Sequence, residues 1–256
     1  MSKPQVDQRV PSIGTRLVRR LPWPLQRLIA QFQQRLADKN YDRMTIEEIF
    51  TRIYLHRIWS PNQSDEFYSG VGSHCREIVG AYSSAVENFL LSLPGKPDVV
   101  DLGCGDFNVG ASLRKNCGRY VACDVVKSLI DRNRAVFAHL GVDFRHLDMT
   151  TDALPLGEVA FIRQVLQHLN NEQITRVVNK LHAFKFVVVT EHLPMSEDFQ
   201  PNIDKPSGHG IRAGRLPPSG VVLTAPPFHL EPLASTVLVE VSSEGGRIQT
   251  IAYRMH

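Results

Sequence analysis

The chain has 256 residues, of which 43% are hydrophobic and 21% are charged, and its formal net charge is +3 at pH 7. These values are ordinary for a soluble globular protein, and a chain of this length buries roughly three quarters of its unfolded surface. The basic excess is too small to indicate a nucleic-acid partner. No apolar run approaches the roughly 20 residues of a membrane-spanning helix.

The N-terminus and the cysteines predict a cytoplasmic protein. Arg19 and Arg20 are followed by prolines and a tryptophan rather than by the apolar stretch of a signal peptide. The four cysteines form no Cys-x-x-Cys pair, so we expect all of them to be reduced thiols.

The part of the chain before residue 94 is predicted to be mostly helical. Residues 1–22 lack apolar periodicity, so we expect an arm there, whereas residues 24–38 have the apolar spacing of a helix. Thr45, with a glutamate three residues later, is typical of the N-cap of a second helix, which Pro61 stops. After a polar loop, a third helix is expected over residues 75–91.

From residue 98 onwards, short apolar runs alternate with helical stretches. This alternation is typical of a parallel sheet with helices on both faces. The expected strands cover residues 98–102, 119–123, 142–147, 159–165 and 186–190. The expected helices lead up to residue 116 and cover residues 127–140 and 171–183.

The C-terminal part, from residue 192 onwards, has a different sequence pattern. Residues 192–232 are rich in proline and glycine with little periodicity, and long irregular segments of this kind are usually functional. Residues 236–241 and 247–253 alternate as the two strands of a hairpin around a Ser-Glu-Gly-Gly turn. We divide the chain into an N-terminal region, residues 1–73, and a domain over residues 74–256 that contains this insert.

One turn between a strand and a helix carries the strongest functional signal. Gly103 and Gly105 lie in this turn, and glycines there let the backbone approach a ligand beside a helix N-terminus. Asp124 ends the next strand, where a carboxylate can accept hydrogen bonds from both hydroxyls of a ribose. Asp148 closes the third strand and can accept from an adenine amino group. With Asp101 in the first strand, three acids at successive strand ends predict a nucleoside site.

The run Asp101-Leu102-Gly103-Cys104-Gly105 resembles the first motif of the class I, Rossmann-like S-adenosylmethionine (SAM)-dependent methyltransferases, and Arg163 to Leu169 resembles the segment after their fourth strand. The resemblance implies a mostly parallel seven-stranded sheet with helices on both faces and an antiparallel last strand. It also implies SAM as cofactor and S-adenosylhomocysteine (SAH) as product. The implied cofactor-binding residues are Asp101, Gly103, Gly105, Asp124, Asp148, Met149, Arg163 and Ser73.

The resemblance has one departure, because Phe107 occupies the position of the usual third glycine. We therefore expect the start of the following helix to pack differently. The flanks resemble those of a bacterial subset of the family, with residues 49–59 and 69–73 as an N-terminal helical lid and residues 202–228 as an insert. Some members of that subset are similar to O-methyltransferases of sugars or small molecules.

Two residues near the carboxyl ends of the fourth and fifth strands are candidates for the base that removes a proton from an acceptor hydroxyl. His168 is the first, since an imidazole can accept a proton near neutral pH, and Glu191 is the second. His192 lies on the same rim. The insert contributes three further candidate substrate contacts, His209, Arg212 and His229.

Together, the motif and the resemblance predict a SAM-dependent methyltransferase acting on a hydroxyl of a small molecule. Three alternatives stay open: a protein or RNA methyltransferase, an NAD(P)-dependent oxidoreductase, and a non-catalytic subunit with this fold. The glycine fingerprint for NAD is incomplete, because position 108 is asparagine. A divalent metal is also left open, since the acids Asp106, Glu191 and Asp204 have no ligand spacing that demands one. The oligomeric state, including a homodimer, is open as well.

Overall fold

The computed structural model describes residues 41, 43–61, 66–243 and 245–256, together with Leu25 and Ile29. The chain divides into two units, Met1–Asn40 and Tyr41–His256. In the first unit, Leu25 and Ile29 are helical, and the remainder of the predicted arm and first helix lies outside the described residues. The second unit contains the sheet. Within the described residues, every helix is too short or too polar to cross a membrane.

The second unit is built on a seven-stranded sheet with the strand order β3-β2-β1-β4-β5-β7-β6. The strands are β1 (Val99–Leu102), β2 (Tyr120–Asp124), β3 (Asp143–His146), β4 (Val159–Arg163), β5 (Phe186–Leu193), β6 (Ala234–Ser243) and β7 (Gly246–Arg254). Strands β1 to β5 are parallel, whereas β7 is antiparallel to both β5 and β6. This confirms the predicted Rossmann-like sheet. The strand order reverses between β1 and β4, which is where open α/β sheets bind ligands.

Five α-helices of the described residues accompany the sheet. They are α1 (Ile46–Leu55), α2 (Arg76–Ser92), α3 (Asn108–Leu113), α4 (Lys127–Val136) and α5 (Asn171–Val178). Successive residues of β4 alternate between two hydrophobic clusters, with Ala160 and Ile162 in one and Val159 and Phe161 in the other. The central strands are therefore buried on both faces, as a parallel sheet requires.

Helix α1 begins as its sequence predicts. The Thr45 hydroxyl accepts a hydrogen bond from the Glu48 backbone N–H at 3.2 Å, and the Glu48 carboxylate accepts one from the Thr45 N–H at 2.7 Å. This reciprocal capping box satisfies two of the N–H groups that a helix start leaves without a partner. The helix ends at Leu55, earlier than predicted, and turns follow it up to Pro61.

The start of α3 has a phenylalanine in a backbone conformation that favours glycine. Phe107 is the N-cap residue and adopts the left-handed conformation, with φ 61° and ψ 13°, a region in which glycine carries no penalty and other residues do. Its side chain is fully buried, with ring centroids 5.5 Å from Tyr120, 5.2 Å from Phe137 and 4.9 Å from Phe144. Aromatic packing therefore offsets the cost of the backbone conformation.

We expect Gly110→Ala to lower the free energy of unfolding by about 1–3 kcal/mol. A Cβ at this helical position would overlap the Phe107 ring and lie 3.0 Å from the Tyr120 hydroxyl, and the surrounding rings leave Phe107 no room to move. The matched control is Gly80→Ala in α2, where a Cβ meets nothing within 4 Å. That variant should gain about 0.5–1 kcal/mol from helix propensity. Urea denaturation measures the free energy of unfolding of both variants. Equal changes in the two variants would contradict the tight packing of Phe107 against Gly110.

Candidate active site

A cavity of about 110 Å³ opens at the carboxyl ends of β1, β2 and β4. All eight residues predicted to bind a cofactor line it, namely Ser73, Asp101, Gly103, Gly105, Asp124, Asp148, Met149 and Arg163. His168, the first candidate base, lines the same cavity. The structure thus brings the predicted nucleoside-binding residues and one catalytic candidate to a single site.

The glycine turn and Asp124 are in direct contact. The two carboxylate oxygens of Asp124 accept hydrogen bonds from the backbone N–H groups of Gly105 and Val126, each at 3.0 Å. Gly103 and Gly105 have φ values of 79° and 56°, and a Cβ on Gly105 would lie 2.5 Å from the Ser69 hydroxyl. Burial raises the pKa of Asp124. Because each carboxylate oxygen accepts up to two hydrogen bonds, both keep capacity for a ligand hydroxyl.

Asp148 and Met149 form a second end of the cavity, after β3. One Asp148 oxygen accepts from the Thr150 N–H at 2.8 Å, which holds the carboxylate in place. Met149 is buried, and Val125 and Leu147 line the cavity beside it. A flat apolar slot with a carboxylate at its rim suits a planar heterocycle that carries an amino group.

Arg163 forms the opposite end. Its guanidinium donates to the Ser73 hydroxyl at 3.1 Å and to the Gly72 carbonyl at 2.6 Å, and it lies 4.8 Å from the centre of the Tyr82 ring. Its Nε is buried without a hydrogen-bond partner, and burial lowers the pKa of Arg163. A buried cation with an unused N–H group is a favourable position for a ligand carboxylate.

Asp101 lies in the cavity wall between these two ends. Its carboxyl group accepts a hydrogen bond from the Tyr120 hydroxyl at 2.9 Å. Burial raises the pKa of Asp101 to about 7, against the lowering effect of that hydrogen bond. The folded protein therefore binds a proton between about pH 4 and pH 7 that the unfolded chain does not, so this group makes stability fall as pH rises through that window.

We expect Asp101→Asn to remove this pH dependence. An asparagine cannot ionise, and its amide oxygen can still accept from Tyr120. The variant should therefore gain stability over the wild type on going from pH 5 to pH 8, by about 2–3 kcal/mol at roughly 1.4 kcal/mol per pKa unit. Thermal melts across this range measure the slope, with Asp143→Asn at an exposed position of β3 as control. Parallel profiles of stability against pH for wild type and Asp101→Asn would contradict the raised pKa of Asp101.

A segment that the sequence pointed to only by resemblance closes the cavity over the glycine turn. The Asp106 carboxylate accepts from the Ser69 backbone N–H at 3.0 Å and lies 2.6 Å from the Nε2 of His74. The Ser69 hydroxyl accepts from the Asp106 N–H at 2.8 Å and lies 2.8 Å from the Tyr54 hydroxyl. We call residues 69–74 the closing segment. Local patterns could not reveal these pairings, since most join residues over 30 positions apart.

Sequence reasoning underestimated the aromatic wall of the cavity. Phe50 and Tyr54 from α1 and the following Trp59 all line it, although the sequence favours ordinary core positions for Tyr54 and Trp59. The Trp59 ring centroid is 5.4 Å from that of Tyr54 and 5.0 Å from that of His168. Gln164, which has a φ of 55° at the end of β4, also lines the cavity. Nothing in its local sequence signals that role.

His168 is a neutral imidazole at the cavity wall. It is 8% exposed, and its Nδ1 lies 3.2 Å from the Gly208 carbonyl oxygen. A carbonyl only accepts, so Nδ1 carries the hydrogen and the lone pair is on Nε2, 3.4 Å from the side-chain nitrogen of Gln167. Burial, followed by the positive charge of Lys205, lowers the pKa of His168 to about 3. The ring therefore stays an acceptor at neutral pH.

Five other predicted site residues do not line this cavity in the described part of the chain. Glu191, His192 and Arg212 are buried beside it, and His229 is exposed. His209 is half-buried, and its Nδ1 lies 3.1 Å from the Tyr41 hydroxyl. The described residues also hold no group of three or more His, Cys, Asp or Glu side chains suited to a metal ion.

Comparisons with known proteins agree with this geometry. Residues 99–184 match the model of a family described as a methyltransferase domain. Comparison with curated protein sequences gave no significant match. The family match favours the predicted methyltransferase over an NAD(P)-dependent oxidoreductase.

Three solved structures share the fold. Human N-acetylserotonin methyltransferase in complex with SAM has a TM-score of 0.55 at 15% identity, covering 82% of this chain and 60% of its own. The N-methyltransferase NodS of Bradyrhizobium japonicum in complex with SAH has a TM-score of 0.56 at 12% identity, covering 78% and 98%. Magnesium protoporphyrin IX methyltransferase of Synechocystis with bound SAM has a TM-score of 0.51 at 14% identity, covering 83% and 99%.

At these identities the likeness establishes the fold, and this chain spans 60% of the length of the human enzyme. The strand order is that of these methyltransferases, and the glycine turn held by Asp124 lies within the matched domain. The chain therefore has the fold of the class I SAM-dependent methyltransferases, and its residues 99–184 match a methyltransferase domain.

Proposed function

We propose that this protein transfers a methyl group from SAM to a hydroxyl group of a small molecule. The observation that carries the proposal is that His168, with its lone pair on Nε2, lines the same cavity as the Gly103–Gly105 turn and Asp124. The proposed base and the proposed nucleoside-binding turn would therefore act in one cavity.

The residues at the cavity wall fit the chemical groups of SAM. Asp124 has acceptor capacity for the ribose hydroxyls, and Asp148 with Met149 suits the adenine ring. The partnerless Nε of Arg163 suits the carboxylate of the methionine part, with Ser73 beside it. When bound, SAM supplies a methyl group that its positive sulfur has already activated for transfer. The protein's task is then to align the acceptor and to remove its proton.

A small acceptor fits the enclosure of the site better than a macromolecule does. The closing segment, α1 and Trp59 surround the cavity, and Asp106, Tyr54 and Arg163 bond the closing segment in place. A protein or RNA chain would need a groove open to solvent. The aromatic wall of Phe50, Tyr54 and Trp59 suits the apolar face of a sugar or a phenol.

His168 is suited to receive the hydroxyl proton although its pKa is low. Because burial keeps the ring neutral, Nε2 stays unprotonated throughout the neutral pH range. An acceptor hydroxyl would replace the long 3.4 Å contact that Nε2 makes with the Gln167 side-chain nitrogen. A hydroxyl oxygen that is being methylated becomes strongly acidic, so a weak base is sufficient to take the proton late in the reaction. The aromatic wall and the closing segment exclude water from this step.

A methyl-transfer screen tests the proposal. SAH release should be measured across sugars, phenols and carboxylates, together with calorimetry of SAM and NADH binding. Turnover of a hydroxyl acceptor supports the proposal. Binding of NADH without SAM would identify an oxidoreductase, and SAM binding with no turnover of any acceptor would identify a non-catalytic subunit. Methylation of RNA or of a protein in the absence of any small acceptor would contradict the proposal that the acceptor is a small molecule.

The proposal includes a cytoplasmic location. All four cysteines, Cys75, Cys104, Cys117 and Cys123, are free thiols, which is typical of proteins in reducing compartments.

A further inference from the structure

The turn that carries His168 is held from two sides by buried side chains of opposite charge. This turn is the 3₁₀-helix Leu166–His168, which follows β4. The two carboxylate oxygens of Glu191 accept hydrogen bonds from the backbone N–H groups of Leu166 at 3.2 Å and Gln167 at 3.1 Å. The Nη1 of Arg212 donates to the carbonyl oxygens of the same two residues, each at 3.2 Å.

The signs of these charges match the polarity of the turn. Burial raises the pKa of Glu191 to about 8, and the Arg212 charge and the two backbone N–H groups oppose that rise by favouring the carboxylate. The N–H end of a helical turn carries partial positive charge and faces the carboxylate, whereas the C=O end carries partial negative charge and faces the guanidinium. Glu191 is 3% exposed and Arg212 is 1% exposed. Burying two ionisable groups this completely is costly unless each is fully hydrogen-bonded. Such burial marks these side chains as dedicated to the turn rather than to solvent.

Arg212 also connects the turn to the insert. Its Nε donates to the Ile203 carbonyl at 3.2 Å, and its Nη2 donates to the Asn171 side-chain oxygen at 2.9 Å. All three guanidinium nitrogens are therefore in use. Both Glu191 oxygens accept from the turn as well. Because neither Glu191 nor Arg212 lines the cavity among the described residues, we assign both to the turn rather than to direct contact with a substrate.

The same insert contacts His168 itself. The Gly208 N–H donates to the His168 carbonyl at 3.0 Å, and the Gly208 carbonyl accepts from the imidazole Nδ1 at 3.2 Å. The Lys205 ammonium group adds a bond to the same His168 carbonyl at 3.3 Å. The position of Gly208 relative to the turn therefore selects the tautomer, and Arg212 joins the insert to the turn.

We propose that Glu191 and Arg212 are positioning residues that hold His168 as the Nδ1–H tautomer, with the lone pair on Nε2. This inference rests on the proposed function for its catalytic meaning. A rotation or shift of the turn would separate Nδ1 from the Gly208 carbonyl, and the ring could then adopt the Nε2–H form. In that form the nitrogen offered to the acceptor would carry a hydrogen and could not take another.

The test combines imidazole ¹H–¹⁵N NMR with steady-state kinetics on Arg212→Lys and Glu191→Gln. Wild-type His168, identified by the signal missing in His168→Gln, should show the Nδ1–H tautomer. Both positioning variants should show Nε2–H or mixed tautomers. They should also lose about 10²-fold in kcat, as expected for a misplaced catalytic group, while SAM affinity and KM for SAM change less than about threefold, because the cofactor end of the cavity is untouched.

Arg114→Lys is the matched control. Arg114 also donates to two backbone carbonyl oxygens, those of Leu140 and Cys117 at 3.0 Å each, and does not line the cavity among the described residues. In this variant, the tautomer signal of His168 and kcat should stay at wild-type values. An Nε2–H tautomer in the wild type would overturn the inference without any variant. Folded Arg212→Lys and Glu191→Gln variants in which His168 keeps the Nδ1–H signal would overturn the inference as well. A tautomer change in a protein without turnover would support the positioning role and count against the proposed function alone.

Discussion

Asp124→Ala should lower the affinity for SAM by about 10²-fold or more. The two carboxylate oxygens have capacity for two ligand hydroxyls, and a hydrogen bond to a charged group contributes roughly 1.5–3 kcal/mol. The variant also releases the Gly105 and Val126 N–H groups that the carboxylate holds at 3.0 Å, which loosens the glycine turn. Isothermal titration with SAM measures the loss directly.

The control for this variant is Asp98→Ala. Asp98 precedes β1 at the opposite edge of the sheet, and its carboxylate accepts from the Arg119 backbone N–H at 2.8 Å. It resembles Asp124 in joining two parallel strands but does not line the cavity among the described residues. SAM affinity should therefore stay within about twofold of wild type. If both variants bind SAM equally well while folded, the nucleoside does not lie against Asp124.

Replacement of His168 by glutamine should lower kcat by about 10²–10⁴-fold, the usual contribution of a general base. Glutamine approximates the size of the ring and can still reach the Gly208 carbonyl with its amide N–H, but its side chain cannot take up a proton. SAM affinity should change little, because the residues proposed to bind the cofactor, Asp124, Asp148 and Arg163, are unchanged in this variant. Single-turnover measurements with saturating SAM separate the two effects.

The pH profile gives a second readout of the same residue. Because the pKa of His168 is lowered to about 3, protonation of this ring should not reduce kcat between pH 6 and pH 8. An ordinary histidine base would instead produce an acid limb near pH 6.5. His182→Gln, at an exposed position after α5, serves as control and should leave kcat unchanged. Retained turnover in His168→Gln would require another base.

The cofactor half of the site follows from local sequence. The apolar runs predict the parallel strands, and the carboxyl ends of parallel strands necessarily meet at one edge of a sheet. The glycine turn after β1, Asp124 after β2 and Asp148 after β3 therefore had to converge, and they line one cavity. The sequence also marks position 107 as unusual, because a phenylalanine stands where the resembled motif has glycine, whereas its left-handed conformation is known only from the structure.

The acceptor half depends on contacts between distant parts of the chain. The insert between β5 and β6 has no periodicity, so its course is decided by which buried polar groups it can satisfy. That course places Gly208 against His168 and buries Arg212 beneath the same turn. Glu191, Arg212 and His168 are all plausible proton acceptors or ligands by residue type. Their different roles arise from burial and from hydrogen bonds that span 24 to 46 positions, and no pattern within a window of neighbouring residues encodes those.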